Sequence, residues 1–145
     1  MSLLRELAIA IPIFIVAVII ASQLVVVPTS SMTPTILKGD MVVVEKNNIL
    51  GMGVNETNSE NMKVGDIIVY AKNASGVPEL IIHRVVGVNE TGGQKYYITK
   101  GDNNSIDDPA MVPTNAVIGE AVNWSGKPVT IPFVGNLFLW LKGVT

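Results

Sequence analysis

The sequence contains no cysteine and only one histidine, His83. The absence of cysteine excludes disulfide bonds, a thiolate nucleophile and cysteine metal ligands. A single imidazole excludes a zinc site built on several histidines, so any histidine chemistry depends on His83. We therefore expect neither a metal nor a cofactor. Charge is also sparse, since the formal net charge is −2 and neither sign forms a long run, which argues against a nucleic-acid-binding surface.

A long apolar run near the N-terminus is the clearest single feature of the chain. Residues 7–27 carry no charge, and about 21 residues at ~1.5 Å each form a helix of roughly 32 Å, close to the ~30 Å of a bilayer core. We predict a short tail at residues 1–6 and a single-pass transmembrane anchor at residues 7–27. A cleaved signal peptide is the alternative, with its cleavage site near Ala21, but the apolar run continues beyond that position.

Charge and glycosylation patterns indicate the side of the membrane. The tail carries Arg5 and the amino group against Glu6, and the next basic residue is Lys38, which weakly favours an N-terminus inside the cell. Five Asn-x-Ser/Thr sequons follow, although asparagine-rich loops would also produce them. We expect the domain after the anchor to lie on the outer or lumenal face of the membrane.

Residues 28–145 are predicted to form one mainly β domain. Short runs of β-branched and aromatic residues alternate with turn residues, which is typical of a sheet protein. The longest run surrounds His83, and a hairpin across residues 89–93 is expected to pair it with residues 95–99.

Two further segments stand out by composition. Residues 46–63 are polar and are predicted to form a surface insertion. Residues 131–141 are apolar but only about half a membrane span long. This second segment could lie in the membrane interface, pack on the β core or begin another span.

Three kinds of side chain could together perform chemistry. The serine-rich stretch around Ser31 is by itself typical of a turn or a helix cap. His83 lies mid-strand, where Ile81 and Val85 are expected to share its face of the sheet. A carboxylate-rich turn at residues 100–109 follows the strand that pairs with the His83 strand, and the hairpin can bring this turn back beside the imidazole.

An aspartate in that turn could fix the tautomer of His83, as a histidine base requires. Asp102, Asp107 and Asp108 are the candidates. Calcium binding is the alternative use of such a turn, but the regular acid spacing and closing glutamate of a calcium loop are absent.

Five short motifs follow the apolar run in a fixed order, and they resemble the ordered boxes of type I signal peptidases as far as about Pro132. The resemblance implies a mostly β protease domain at the outer or lumenal membrane face. Since His83 stands where bacterial members have lysine, the chain is most similar to the archaeal and endoplasmic-reticulum branch. The motifs are Ser31-Met32-Thr33-Pro34, Lys38-Gly39-Asp40, Gly65-Asp66-Ile67-Ile68-Val69-Tyr70, His83-Arg84-Val85-Val86-Gly87 and Lys100-Gly101-Asp102-Asn103-Asn104 with Asp107-Asp108 after it.

This resemblance implies a role for each matching residue. Ser31 would be the nucleophile, and His83 would act as general base and then as general acid. Asp102 and Asp108 both match functionally important family positions; we favour Asp108 as the residue that orients His83, with Asp102 in a supporting role. The backbone N–H of Ser31 and the hydroxyl of Thr29 would be the oxyanion donors, although Thr29 could simply cap the serine turn.

The implied function is removal of signal peptides from secretory preproteins after small residues. The partners would be these preproteins, the lipid bilayer and, as a candidate, the protein-export machinery. The cleavage segment would dock as an added strand. With an anchor ending at residue 27, Ser31 would lie within roughly 10 Å of the membrane boundary, at ~3.3 Å per extended residue.

Two alternatives to this function remain open. One is a membrane-tethered, non-catalytic β binding module or an inactive accessory paralogue. The other is a Ser-Lys self-cleaving repressor-type protease, which would need a lysine at the position of His83.

Overall fold

The computed structural model describes residues 3–46, 48–49, 52–53, 59–74 and 76–143. An N-terminal helix precedes a domain that is mostly β sheet, as predicted, and a second short helix lies near the C-terminus. The helices are α1 (Leu3–Ser22) and α2 (Val134–Leu141), and a 3-10 turn covers Thr114–Ala116. The strands are β1 (Leu24–Val26), β2 (Met41–Lys46), β3 (Asn48–Ile49), β4 (Met52–Gly53), β5 (Ile67–Ala74), β6 (Val77–Thr91), β7 (Gln94–Lys100), β8 (Val112–Pro113), β9 (Val117–Ala121), β10 (Asn123–Trp124), β11 (Lys127–Pro128) and β12 (Thr130–Ile131).

Helix α1 is long and apolar enough to cross a membrane, and none of its side chains is buried against the domain. Its end differs from the predicted anchor boundary at residue 27. The helix stops at Ser22, and the next apolar residues form β1, which pairs with β2. Val25 and Val27 are buried in the domain core. Valine is equally favourable in a domain core and in a bilayer, so hydropathy alone could not locate the end of the helix.

The junction between α1 and the sheet is held by hydrogen bonds. The Val44 N–H donates to the Gln23 carbonyl at 2.8 Å, and the Lys46 N–H donates to Gln23 Oε1 at 3.1 Å. The Lys46 ammonium also donates to the Ser22 carbonyl at the end of the helix. A cation at a helix C-terminus is favourable because the last carbonyls have no partner within the helix.

The main sheet runs in the order β1-β2-β9-β5-β6-β7-β8, with β12 also paired to β2. The predicted hairpin is confirmed, since β6 and β7 are joined across Thr91 and Gln94. Gly92 and Gly93 form its two-residue turn, and both have positive φ, 62° and 76°. Glycine adopts such angles without a steric penalty, which is why this turn suits a tight hairpin.

Strand β6 has different neighbours along its two halves. Residues 77–84 pair with β5, and His83 lies opposite Ile68 there. Pairing with β7 begins only at Arg84, opposite Lys100. Among the described strands, none pairs with residues 77–83 on that second side. An open sheet edge therefore ends at His83.

The central sheet separates two apolar clusters, because successive side chains of a strand point to opposite faces. On β5, Ile67 and Val69 belong to the cluster that contains Val25 and Val27. Ile68 and Tyr70 belong to the other cluster, together with Ile81 and Val85. The predicted sharing of one face by Ile81 and Val85 is thus confirmed, and the pairing of His83 with Ile68 puts the imidazole on that face.

The two segments singled out by composition contain short helices or strands. Residues 46–63 include the small β3–β4 hairpin, while residue 47, residues 50–51 and residues 54–58 lie outside the described residues. The apolar segment at residues 131–141 forms the end of β12 and then α2, whose eight residues measure only about 12 Å. Gly135 and Leu139 are buried, and the other large side chains of α2 are exposed.

Candidate active site

Ser31 lies in the turn that follows β1. The next residue, Met32, and nearby Ile36 are fully buried, which fixes the turn against the core. On the other side, the Asn103 N–H donates a 2.8 Å hydrogen bond to the Ser31 carbonyl. Ser31 is half-buried whereas Ser30 is exposed. Of the two adjacent serines, only Ser31 is directed toward His83.

The imidazole of His83 lies between Ser31 and Asp108. Its Nε2 is 3.2 Å from Ser31 Oγ, and its Nδ1 is 2.6 Å from Asp108 Oδ2. An ionised carboxylate only accepts hydrogen bonds, so Nδ1 must carry the proton and Nε2 is free to accept one from the serine hydroxyl. His83 is 8% exposed. This is the arrangement that a histidine general base requires.

Asp108 is held at this place by more than His83. Its backbone N–H donates to the Thr99 carbonyl at 2.7 Å. Its Oδ2 also accepts hydrogen bonds from the Thr99 hydroxyl at 2.6 Å and from the Tyr70 hydroxyl at 3.0 Å. Burial alone would raise the pKa of this carboxyl, but the hydrogen bonds from His83 and Thr99 outweigh it and lower the pKa. Asp108 is therefore a carboxylate at neutral pH.

Asp102 is paired with Arg84 rather than with His83. Arg84 donates from Nε and from a terminal nitrogen to its two oxygens, at 2.8 and 2.7 Å. A third donor of Arg84 binds the Gly65 carbonyl at 2.7 Å. Burial would raise the pKa of Asp102, but hydrogen bonds from Arg84 and Thr35 dominate and lower it. Since Arg84 and His83 are adjacent in β6 and point to opposite faces, Asp102 supports the loop from the other side.

Thr29 lies beside the candidate nucleophile. Its Oγ1 is 3.1 Å from Ser31 Oγ, and both residues line the same groove. A threonine hydroxyl at this distance could reach an oxygen attached to the carbon that Ser31 attacks. Among the remaining candidates, Asp107 is exposed.

A groove of about 270 Å³ adjoins Ser31 and His83. One wall is formed by Val27, Pro28 and Thr29, and the other by the open edge of β6 at residues 79–83. An extended peptide placed there could hydrogen-bond to an unpaired strand edge, as in other strand-addition complexes. The groove thus supplies a place for a substrate strand directly beside the serine hydroxyl.

Gly101 allows the loop after β7 to approach the site closely. A Cβ at this position would lie 2.7 Å from the Ser31 carbonyl oxygen and 3.0 Å from His83 Nε2. Distances below about 3.0 Å are not found for real Cβ atoms. Only glycine fits between the turn that carries Ser31 and the imidazole.

Sequence reasoning overlooked Tyr70, Thr99 and the steric role of Gly101. The signal for the first two was present in the strand alternation, because Tyr70 shares a face with Ile68 and Thr99 shares one with buried Tyr97. Alternation alone does not say that both hydroxyls reach the same carboxylate. In the described part of the chain, no group of three or more Asp, Glu or His side chains is arranged to hold a metal.

Comparison with known proteins places these residues in a wider context. Residues 1–111 match the signal peptidase family, peptidase S26. The chain is 31% identical, over 135 residues, to the signal peptidase complex catalytic subunit of Schizosaccharomyces pombe, covering 83% of this chain and 67% of that one. It is 35% identical over 122 residues to the corresponding subunit of Pyricularia oryzae, covering 83% and 64%. An uncharacterized protein of Methanocaldococcus jannaschii is 27% identical over 184 residues, with 88% of each chain covered.

Proposed function

Since this chain belongs to the type I signal peptidases of the archaeal and endoplasmic-reticulum branch, we propose that it is a membrane-bound serine endopeptidase that removes signal peptides from secretory preproteins after small residues. The single observation that carries the proposal is the chain of contacts from Ser31 Oγ through His83 to Asp108, at 3.2 and 2.6 Å. The open edge of β6 beside it supports a peptide substrate.

In this reaction, Ser31 Oγ attacks the scissile carbonyl while His83 Nε2 takes the hydroxyl proton. The oxyanion that forms accepts hydrogen bonds from the Ser31 N–H and the Thr29 hydroxyl. His83 then gives its proton to the leaving amine, which becomes the N-terminus of the mature protein. A water molecule attacks the acyl-enzyme with His83 again as base. The ester bond to Ser31 Oγ then breaks as His83 returns the proton to that oxygen, and the signal peptide leaves with a free C-terminal carboxyl group. Asp108 stabilises the imidazolium in both halves of the cycle.

Placement at the membrane depends on α1 and α2 together. Ser31 lies nine positions after the end of α1 at Ser22, so an extended tether of ~3.3 Å per residue would allow a separation of about 30 Å. An anchor that ended at residue 27 would instead allow roughly 10 Å. The hydrogen bonds of Gln23 and Lys46 at the end of α1 restrict that range.

Helix α2 supports a shallow position of the domain. Its buried Gly135 packs against Gly39 and against Val26 of β1, the strand that follows α1. Its exposed Leu137, Phe138 and Trp140 form an apolar surface on a helix too short to span a bilayer. Apolar and aromatic side chains of this kind are typical of helices in the interface between headgroups and acyl chains. We propose that α2 lies there, on the outer or lumenal side, and that residues 28–145, which include α2, form one catalytic domain.

The decisive experiment compares cleavage of a secretory preprotein by the detergent-solubilised full chain and by three variants. Ser31→Ala and His83→Ala should abolish cleavage, and Ser30→Ala, the matched control one position away, should retain it. If Ser30→Ala lost activity and Ser31→Ala kept it, the nucleophile would be Ser30. Absence of cleavage by the unaltered chain, under conditions where an active signal peptidase works, would favour a non-catalytic binding module.

A further inference from the structure

The carboxylate of Asp108 is not enclosed by side-chain packing. One side of the residue meets His83, and the other lines a second cavity of about 320 Å³ between β5 and the loop at residues 108–113. A side chain on a cavity wall can change rotamer unless its own polar contacts hold it. The orientation of Asp108 must therefore come from its hydrogen bonds.

Three adjacent strands supply those hydrogen bonds. His83 comes from β6, Tyr70 from β5 and Thr99 from β7, and β6 lies between the other two in the sheet. All three donate to the same atom, Oδ2, at 2.6, 3.0 and 2.6 Å. Among the described residues, no hydrogen bond from a side chain reaches Oδ1. The sheet therefore determines which carboxylate oxygen faces the imidazole.

The two hydroxyls keep their donor role over the whole working pH range. Burial raises the pKa of Tyr70 to about 12, so the phenol stays protonated. Thr99 is fully buried and does not ionise. The Thr99 hydroxyl also lies 3.4 Å from the Tyr70 oxygen, but its single proton is better placed toward Asp108 at 2.6 Å.

We propose that Tyr70 and Thr99 are positioning residues for the catalytic site, whose hydroxyls hold Asp108 Oδ2 opposite His83 Nδ1 and thereby keep Nε2 available to Ser31. The consequence for the reaction rate rests on the proposed peptidase function, but the effect on the imidazole does not. Tyr70 and Thr99 are absent from the substrate groove. They act through Asp108 and His83.

The charged and titratable groups that face Asp108 are few in the described structure. They are His83 from β6, Tyr70 from β5 and, across the second cavity, Lys72 from β5. Removing one of the two hydroxyls leaves the Asp108 side chain freer to turn away from the imidazole, so its hold on the Nδ1 proton of His83 weakens.

The first test measures preprotein cleavage by Tyr70→Phe and Thr99→Val, each of which removes one hydroxyl with little change in shape. We expect kcat to fall about tenfold in each, the size of one hydrogen bond to a charged group, with KM within about twofold of the unaltered value. Thr99→Ser keeps the hydroxyl and should restore most of the rate. Tyr96→Phe is the matched control, because the Tyr96 hydroxyl binds Gln94 on the surface of β7.

The second test needs no catalysis and uses the fact that His83 is the only histidine. Nitrogen-15 labelling of histidine in the detergent-solubilised full chain gives the NMR signals of one imidazole. We expect the neutral ring to carry its proton on Nδ1 in the unaltered chain and in Tyr96→Phe. In the double variant of Tyr70→Phe with Thr99→Val, a share of the Nε2-protonated tautomer should appear.

Two results would overturn the inference. One is a double variant whose histidine tautomer matches that of the unaltered chain. The other is a loss of rate that Thr99→Ser does not restore, or that only follows the loss of folded protein. If the unaltered chain cleaves no preprotein, the NMR comparison still tests the positioning role, so failure of the peptidase function and failure of this inference are distinguishable.

Discussion

Replacing Gly101 by alanine tests how tightly the site is assembled. Gly101 does not adopt a left-handed backbone conformation, so alanine is compatible with its φ angle. The only effect is therefore steric. The added methyl group would lie 2.7 Å from the Ser31 carbonyl oxygen, 2.9 Å from Asn104 Nδ2 and 3.0 Å from His83 Nε2.

These three neighbours differ in their freedom to move. The Asn104 side chain is exposed and can rotate away. The Ser31 carbonyl is held by the Asn103 N–H at 2.8 Å, and the imidazole is held by Asp108 at 2.6 Å. Reaching an ordinary contact of 3.4 Å from 2.7 Å requires a shift of about 0.7 Å. Displacements of about 1 Å in a catalytic site cost up to ~100-fold in rate, so we expect kcat/KM to fall about 10- to 100-fold.

The assay is preprotein cleavage at equal amounts of folded protein. Folding has to be measured beside it, because the extra methyl should also destabilise the domain by about 1–3 kcal/mol. Gly87→Ala is the matched control on β6, since the three atoms nearest its methyl would all belong to the Ile98 side chain, with Cδ1 at 3.2 Å and Cβ at 3.5 Å. Wild-type kcat/KM in folded Gly101→Ala would refute the steric reasoning.

Three further predictions concern the carboxylates and α2. Asp108→Asn should lower kcat by about 10²- to 10⁴-fold in preprotein cleavage, because an amide does not enforce the Nδ1-protonated tautomer; activity near the unaltered rate would contradict the role of Asp108. The pKa of Asp102 is lower in the folded chain than in the unfolded chain. The ionised carboxylate therefore stabilises the fold above the unfolded-state pKa of about 4, and this stabilisation is lost as pH falls through the folded-state pKa. Asp102→Asn should therefore lower the free energy of unfolding by about 2 kcal/mol at pH 7, and the difference from the unaltered chain in denaturant titrations should shrink below pH ~4; a constant difference would exclude this linkage. In Trp124→Phe, Trp140 is the only tryptophan, and its fluorescence should be quenched by brominated lipids in vesicles carrying the full chain; unquenched emission would place α2 outside the interface.

Much of the fold could be predicted from the sequence because the strand signals are local. The β-like runs around His83 and the glycines at residues 92–93 predict the hairpin that the structure contains, although its turn is two residues long and not the five residues 89–93. Proximity of the acidic turn to the histidine strand then follows from that hairpin, whereas the position of the serine turn does not. The choice between Asp102 and Asp108 does not, since it depends on which face of β6 each loop residue reaches. Arg84 binds Asp102 on one side, and this leaves Asp108 for His83.

The end of helix α1 could not be predicted, for a reason that also bears on the proposed function. Leu24, Val25 and Val26 are as apolar as the helix before them, and only pairing with β2 assigns them to the domain. Since these residues are strand, a short spacer would not set the distance of Ser31 from the proposed membrane surface. The position of the domain on that surface would set it. The Lys46 contact with the end of α1 and the apolar face of α2 are the two features that can hold the domain against the surface. Under the proposed function, a substrate whose cleavage site lies close to the membrane would reach the groove only if both features bring the open edge of β6 to that depth. The quenching of Trp140 would therefore test a condition for catalysis as well as the position of α2.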